Sequence, residues 1–150
     1  MLTLSVLAGG RGKSAPEQAL AVEYLSKARD LGRALGFAGF TLTEADERKL
    51  SQTLSVAPHP ILLDETGKSR SSRDFALWLG QLRDQGLPEM TFVVGGAEGF
   101  TAQDRAYAKG YIAFGPQTWP HMLVRPMLAE QLYRAMTILS GHPYHRDGSR

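Results

Sequence analysis

The stretch that decides the fold is the C-terminal third, residues 114–146, which reads FGPQTWPHMLVRPMLAEQLYRAMTILSGHPYHR. It starts where a short apolar run ends, continues through a loop stiffened by Pro116 and Pro120, and enters an amphipathic helix. A tail with two histidines, a tyrosine and an arginine follows the helix at positions 142–146. Helical periodicity does not require so much polar and aromatic chemistry, so this stretch is the first candidate for a functional site.

Length and composition indicate one globular domain. The chain has 150 residues, of which 43% are hydrophobic and 21% are charged, which is enough for one buried core and unlike a disordered chain. The net charge of +2, from 17 basic and 15 acidic residues, permits a polyanionic partner without requiring one. Arginines recur in the C-terminal half, where phosphate contacts could gather, although dispersed surface arginines would give the same pattern.

Several classes of protein are excluded by what the sequence lacks. The absence of cysteine removes disulfides, thiolate zinc sites and cysteine nucleophiles. No apolar run approaches the roughly 20 residues of a membrane span, and the N-terminus MLTLSVLAGG lacks the basic region of a signal peptide. We therefore expect a cytoplasmic protein with no membrane contact.

Apolar runs and helical periodicities alternate along the chain. Strands are predicted at 2–7, 37–42, 60–64, 90–94 and 111–114; helices are predicted at 15–35, 44–51, from a cap at Ser69 or Ser71 to 85, at 101–109, and at 122–140. Residues 65–68 are predicted to form a loop. This alternation favours a single-domain α/β fold with a parallel sheet, in which ligands bind outside the carboxyl ends of the strands.

The glycine-rich stretch GGRGKS at 9–14 invites comparison with a phosphate-binding P-loop. That motif needs a glycine five positions before its second one, and this position is Leu7, inside the first predicted strand. Ser14 and Glu17 have the spacing of a capping box, and Pro16 suits a first helical turn. The stretch is therefore interpreted as a helix start and not as a nucleotide site.

Three loops should meet at one edge of the sheet, those after Leu63, Val94 and Phe114. Gly95 and Gly96 would let the backbone approach a ligand, although a tight turn explains them equally well. The loop at 115–121 has backbone groups with no strand to join, which suits reading the edge of an adenine ring. Trp119 could cover a flat ring or belong to the core.

The last helix and the tail each have a structural and a functional interpretation. Glu130 and Arg134 are four residues apart, as in an ordinary surface ion pair. The tail at 142–146 could become ordered against RNA or a partner subunit. A zinc site built from two histidines and no cysteine is not expected, so no metal is predicted.

Taken together, these residues resemble the RlmH (YbeA-like) family of SPOUT methyltransferases, bacterial enzymes that methylate N3 of a pseudouridine in 23S ribosomal RNA. Three segments carry the resemblance: VVGGAEGF at 93–100, WPHMLVRPMLAEQLYRA at 119–135, and HPYHR at 142–146. It covers the chain from about residue 60 to 146. The first 58 residues resemble the family mainly in length, in an opening strand and in one helix.

The resemblance implies an α/β-knot fold with a deep C-terminal trefoil knot in a single domain, 1–150, with knot and cofactor site at roughly 90–150. It implies S-adenosyl-L-methionine as cofactor and a homodimer as the active unit. The cofactor residues carried over by motif are Leu63, Gly95, Gly96, Gly115, Pro116, Gln117, Thr118, Trp119 and Pro120. The partners implied are 23S rRNA or the ribosome and a second copy of the chain.

The resemblance also places His121, Glu130, Arg134, Tyr144 and His145 near the substrate, with the tail completing the partner's site. Because an imide nitrogen is a poor nucleophile until its proton leaves, a base or an anion-stabilising cation is needed. We hypothesise that Arg134 or His145 supports the anion and that His121 or Glu130 takes the proton. The sequence departs from the family pattern at Ala97, at Trp119, and at Pro126, which is expected in the first helical turn.

Two other functions fit the same residues. A SPOUT methyltransferase acting on another RNA, such as tRNA, would share the pocket and differ only in substrate. A non-catalytic ribosome-binding protein could keep the knot without activity, although it would not need all three segments of the resemblance.

Overall fold

A computed structural model of the chain describes residues 1–147, and its centre is one five-stranded sheet. The strand order is β2-β1-β4-β3-β5, and all neighbouring strands are parallel. The strands are β1 (Leu2–Gly9), β2 (Phe37–Ala45), β3 (Pro60–Ser69), β4 (Glu89–Val94) and β5 (Gly110–Ala113). The predicted parallel α/β fold is confirmed.

Helices cover both faces of the sheet. They are α1 (Pro16–Gly32), α2 (Leu50–Leu54), α3 (Ser72–Asp84), α4 (Ala102–Tyr107) and α5 (His121–Ser140), with 3₁₀ turns at Arg33–Leu35 and Glu47–Lys49. One buried cluster joins α1, α3 and α5 to the sheet, and a smaller one on the other face contains Leu50 and Leu54 of α2. Within the described part of the chain, no helix is long and apolar enough to cross a membrane.

Strand β3 is longer than predicted, because the expected loop at 65–68 lies inside it. Leu63 and Lys68 both pair with Ile112 of β5, so the residues between them form a bulge, not a connection. Gly67 permits this bulge, since a Cβ there would lie 2.7 Å from the backbone of Ile112. Helix α3 then begins after Ser71, whose hydroxyl accepts a hydrogen bond from the Asp74 backbone N–H; Ser69 is not the cap.

Three details of the helices differ from the predictions. The predicted helix at 44–51 is a 3₁₀ turn at Glu47–Lys49 followed by α2 at Leu50–Leu54, because Glu44 and Ala45 belong to β2. The cap of α1 is Ala15, and no side chain of residues 1–147 caps the helix, so the predicted capping box of Ser14 and Glu17 is wrong. Pro16 does lie in the first turn. Pro126 is the sixth residue of α5 and therefore lies beyond the first turn. Its missing N–H leaves the Met122 carbonyl without a helical partner.

The side chain of Arg125 fastens the start of α5 to the carboxyl end of β1. It is only 1% exposed, although the periodicity of its helix predicts only apolar residues against the core. Its Nη2 donates to the carbonyls of Gly9 at 3.3 Å and Gly10 at 3.1 Å. Its Nη1 donates to Gln18 Oε1 at 2.9 Å and to Glu44 Oε2 at 2.5 Å. Four acceptors thus offset the burial of its two terminal nitrogens, while its buried Nε has no hydrogen-bond partner within residues 1–147.

The glycine-rich stretch at 9–14 forms much of the binding site for this guanidinium. Its carbonyls accept from Arg125, and the Gly12 N–H donates to Glu44 Oε2 at 2.6 Å. A Cβ on Gly12 would lie 2.9 Å from Arg125 Nη1, so a side chain there would displace the arginine. Burial raises the pKa of the Glu44 carboxyl, but hydrogen bonds from Arg125 and Gly12 outweigh it, and the pKa is lowered overall. The stretch therefore holds the guanidinium of Arg125, which accounts for its glycines without a P-loop.

We expect Arg125→Met to lower the free energy of unfolding by about 1–3 kcal/mol, because the carbonyls of Gly9 and Gly10 lose their donor and the part-exposed Glu44 loses its cation. Urea unfolding measures the loss. Arg48→Met is the matched control, since the Arg48 side chain is 90% exposed. A loss no larger than that of the control would show that Arg125 does not hold α5 in place.

Candidate functional site

A cavity of about 480 Å³ lies at the carboxyl ends of β4 and β5 and beside the bulge of β3, the strand between them. We call it the strand-end pocket. It confirms that the segments after Leu63, Val94 and Phe114 meet, although the first of them is the bulge of β3 and not a loop. Of the residues predicted to bind a cofactor, those that line it are Leu63, Gly95, Gly96, Gly115, Gln117, Thr118, Trp119 and Pro120. Pro116 is in the same loop but does not line the cavity.

The loop at 115–120 is held in place by hydrogen bonds to its surroundings. The Gly115 N–H donates to Ser69 Oγ at 3.3 Å, and the Thr118 hydroxyl donates to the Glu65 carboxylate. The indole Nε1 of Trp119 donates to the carbonyl of Phe114 at 3.0 Å. Gly115 has a φ of +85°, a conformation that favours glycine. The loop is therefore built before any ligand arrives.

The same loop keeps donors available for a ligand. No hydrogen bond within residues 1–147 uses the backbone N–H groups of Gln117, Thr118 or Trp119. Trp119 is 39% exposed, which is unusual for so large an apolar side chain. A wall with free backbone donors and an exposed aromatic ring can bind a flat heterocycle.

The packing of a neighbouring side chain explains why residue 96 is glycine, and the approach of a ligand is not needed to explain it. A Cβ at this position would overlap the carboxylate of Glu47, which accepts a hydrogen bond from the Ala97 N–H at 3.1 Å. Gly95 is different, because a Cβ there would only touch the Phe100 ring at 3.4 Å. Gly96 thus allows Glu47 to fix the turn that forms the wall of the pocket.

Carboxylates give the strand-end pocket a negative wall. Asp64, Glu65 and Glu98 line it, and among the described residues its lining includes no lysine or arginine. Burial raises the pKa of Asp64, but hydrogen bonds from Arg105, at 2.9 Å, and from Thr66 outweigh it, so the pKa is lowered overall and the group stays ionised. The pocket therefore favours a ligand with a positive charge.

A second group of predicted site residues forms what we call the tail cluster: Glu130, Arg134, Tyr144 and His145. Arg134 Nη2 donates to Glu130 Oε2 at 2.7 Å, and the Tyr144 hydroxyl donates to the same oxygen at 2.8 Å. The guanidinium carbon also lies 4.8 Å from the centre of the Tyr144 ring. Burial and the hydrogen bond to Glu130 raise the pKa of Tyr144. The phenol is thus a donor and stays protonated.

His145 takes a defined tautomer in this cluster. Arg134 Nη1 lies 3.0 Å from His145 Nδ1 and can only donate, so Nδ1 is the acceptor and the proton sits on Nε2. Nε2 in turn lies 2.8 Å from Asp147 Oδ1. Asp147 also accepts from Arg73 of α3 at 2.6 Å, and hydrogen bonds from Arg73 and His145 lower its pKa to about 2. The tail is therefore docked between α5 and α3.

The structure does not bring all five predicted catalytic residues together. His121 lines the strand-end pocket, whereas Arg134 lies 13 positions further along α5, about 20 Å at 1.5 Å per residue. The hydrogen bonds of Glu130 already come from Arg134, Tyr144 and Gln131. No hydrogen bond within residues 1–147 occupies the ring nitrogens of His121. Among the described residues, His121 is thus the member of the set that lies at the pocket with no hydrogen bond to its ring nitrogens.

Sequence reasoning alone does not identify the acidic wall or the arginine behind it. In the sequence, Asp64 is only the acid that ends a strand, and Glu98 is only part of a glycine-rich turn. The usable signal is that Asp64 ends the apolar run of β3 and that Glu98 lies in the glycine-rich loop after β4. Arg125 gives no such signal, because its partners lie more than 80 positions away in sequence.

Comparison with known proteins gives a consistent result over the whole chain. The family described as "Predicted SPOUT methyltransferase" matches residues 2–145. The protein named Ribosomal RNA large subunit methyltransferase H of Phenylobacterium zucineum (strain HLK1) is 46% identical over 155 residues, which cover 97% of this chain and 100% of that protein. Proteins of the same name from Methylocella silvestris and Maricaulis maris are each 44% identical, with 97% of this chain and 100% of each relative covered.

We expect Gly96→Ala to destabilise the protein by about 0.5–1.5 kcal/mol, because its methyl group displaces the flexible, exposed Glu47 side chain and breaks the hydrogen bond from the Ala97 N–H. In a Glu47→Ala background the same change should cost much less. Urea unfolding of the four proteins of this cycle measures the coupling, and Gly95→Ala is the control. Equal costs in both backgrounds would mean that Glu47 is not the reason for this glycine.

Proposed function

This chain belongs to the SPOUT methyltransferase family, and from that premise we propose that it transfers a methyl group from S-adenosylmethionine to large-subunit ribosomal RNA. The observation that carries the proposal is the strand-end pocket, which combines free backbone donors, an exposed indole and an acidic wall. The relatives' name supplies the class of RNA. The resemblance of the three segments supports N3 of a pseudouridine as the target and the assembled ribosome as the substrate.

The pocket residues suit this cofactor. The N–H groups of Gln117 to Trp119 can read the edge of the adenine, and the Trp119 ring can cover its face. Asp64, Glu65 and Glu98 offset the positive charge of a sulfonium centre. When bound, the cofactor supplies an activated methyl group, so the protein has to align the acceptor and exclude water.

The remaining chemistry concerns the proton of the imide nitrogen. We propose that His121 accepts it, since it lies at the pocket and no hydrogen bond within residues 1–147 occupies its ring nitrogens. The tail cluster supports the resulting anion through the Arg134 guanidinium and orders the tail against the substrate. Glu130 fits less well as the base, because its oxygens already accept from three neighbours.

The distance between His121 and the tail cluster supports a homodimer in which each pocket faces the partner's tail cluster. Trp119 and Leu123 leave apolar surface exposed beside the pocket, as an interface would need.

We also propose the trefoil knot in a single domain over 1–150, of which residues 148–150 lie outside the described part. The support is the path of the chain after β5, which is an edge strand of the sheet. Helix α5 follows β5, and its Arg125 binds the end of β1, although β3 and β4 lie between β5 and β1 in the sheet. A ribosomal substrate implies a cytoplasmic enzyme.

The first test is methyl transfer from labelled S-adenosylmethionine to ribosomes that lack the modification, with bulk tRNA alongside. We expect label in 23S rRNA at a pseudouridine and none in tRNA. Label in tRNA alone would keep the cofactor and overturn the substrate. If no RNA is labelled and the cofactor gives no thermal shift, the non-catalytic ribosome-binding protein becomes the better hypothesis.

The second test addresses the residues. We expect His121→Ala to lower the single-turnover rate by about 10²- to 10⁴-fold, the usual contribution of a general base. Arg134→Ala should also be inactive, and a mixture of both variants should regain activity, because one heterodimer site keeps both side chains. Arg33→Ala, at an exposed residue before β2 on the opposite edge of the sheet, is the control. A dimeric mixture that stays inactive would contradict the shared site.

A further inference from the structure

A second, smaller cavity lies on the other side of β5 from the strand-end pocket. It measures about 140 Å³ and shares Ile112, Ala113 and Phe114 with the pocket. We call it the cationic cavity, because its other lining residues include Lys68 at the end of β3 and Arg70 just after it. Its volume is below the range of about 300–1,000 Å³ that is typical of small-molecule sites. A single ionic group would fit better than a nucleoside.

Arg70 carries an unexplained donor. Its Nη1 is buried and has no hydrogen-bond partner in the described structure. The guanidinium is not loose, since its carbon lies 4.2 Å from the centre of the Trp78 ring, which holds the plane in one orientation. Buried polar groups almost always have a partner, so an oriented guanidinium without one calls for a ligand.

The charge of the cavity is not balanced within the protein. Arg73, Arg105, Arg125 and Arg134 each form an ion pair, but Lys68 and Arg70 form none within residues 1–147. Asp74 raises the pKa of Arg70 from beyond ion-pair distance, yet burial outweighs it and the pKa is lowered overall. Ser72 adds a hydroxyl, which donates to Gln131 Oε1 at 2.7 Å, and no carboxylate of the described chain lines the cavity.

We propose that Lys68 and Arg70 form a phosphate-binding subsite that holds the RNA backbone beside the nucleotide presented to the strand-end pocket. Arginine offers phosphate two parallel donors, and the exposed Lys68 adds a point charge at the rim. The cofactor's carboxylate is the other possible anion. It is disfavoured because the end of β5 separates the two cavities. This inference rests on the proposed RNA substrate.

The test is binding of the RNA substrate to Arg70→Gln and Lys68→Gln as a function of salt. Each variant should bind more weakly, and the slope of log K against log salt should fall by about 1 for each phosphate that is no longer neutralised. The KM for ribosomes should rise while kcat and the Kd for S-adenosylmethionine stay unchanged. Arg70→Lys should restore part of the affinity. Arg33→Gln, an exposed arginine before β2 at the opposite edge of the sheet, is the matched control.

The outcomes separate this inference from the proposed function. Unchanged RNA affinity and salt slope in both variants would overturn the subsite, even if the wild-type protein methylates rRNA. A weaker Kd for S-adenosylmethionine with unchanged RNA affinity would assign the cavity to the cofactor and overturn it as well. Absence of methyl transfer by the wild-type protein would contradict the proposed function, while the salt slopes would still report on the subsite. Urea unfolding should show that Arg70→Gln folds normally, since it removes a buried donor without a partner.

Discussion

The buried guanidinium of Arg125 is the interaction on which the rest of the site depends. It ties the first turns of α5 to the carboxyl end of β1, and the same turns present His121 and Val124 to the strand-end pocket. Removing a cation from water is costly, so the surrounding sequence has to supply acceptors and space. The glycines at 9–12 do both, because they leave carbonyls free and leave room for the side chain.

Helix α5 carries two parts of the proposed chemistry that cannot meet within one chain. His121 is at its first residue, and the tail cluster is more than two turns further on. A straight helix cannot bend them onto one reacting atom. The tail cluster is nevertheless rigid, since Arg134, Tyr144 and His145 are linked by hydrogen bonds and Asp147 ties them to α3. A two-fold dimer can use a rigid tail cluster that lies far from the pocket of its own chain. In such a dimer the tail cluster of one subunit can lie opposite the strand-end pocket of the other.

The sequence is sufficient for the parts of the structure that local patterns determine. Apolar runs locate all five strands, and their position along a parallel sheet locates the pocket. Sequence patterns do not predict the structure where contacts between residues far apart in the sequence determine it. The polar residues at 65–68 have the composition of a loop, but β5 pairs with the residues on both sides of them and makes them a bulge. Arg125 looks like a surface residue in the sequence because its partners come from β1, α1 and β2. The glycines at 9–12 resemble a phosphate loop, whereas in the structure they bind a cation.

The two cavities on either side of β5 have opposite charge, and this fits the chemistry of the proposed reaction. The strand-end pocket has carboxylates and, within residues 1–147, no lysine or arginine, so it favours a cationic methyl donor. The cationic cavity has Lys68 and Arg70 and, over the same residues, no carboxylate, so it favours a polyanion. If the two charges shared one cavity, they would neutralise each other and select neither ligand. Because the end of β5 separates the two cavities, the carboxylates and the cations each act on their own ligand at short range. The methyl donor and the RNA can still approach the site of methyl transfer from opposite sides of this strand.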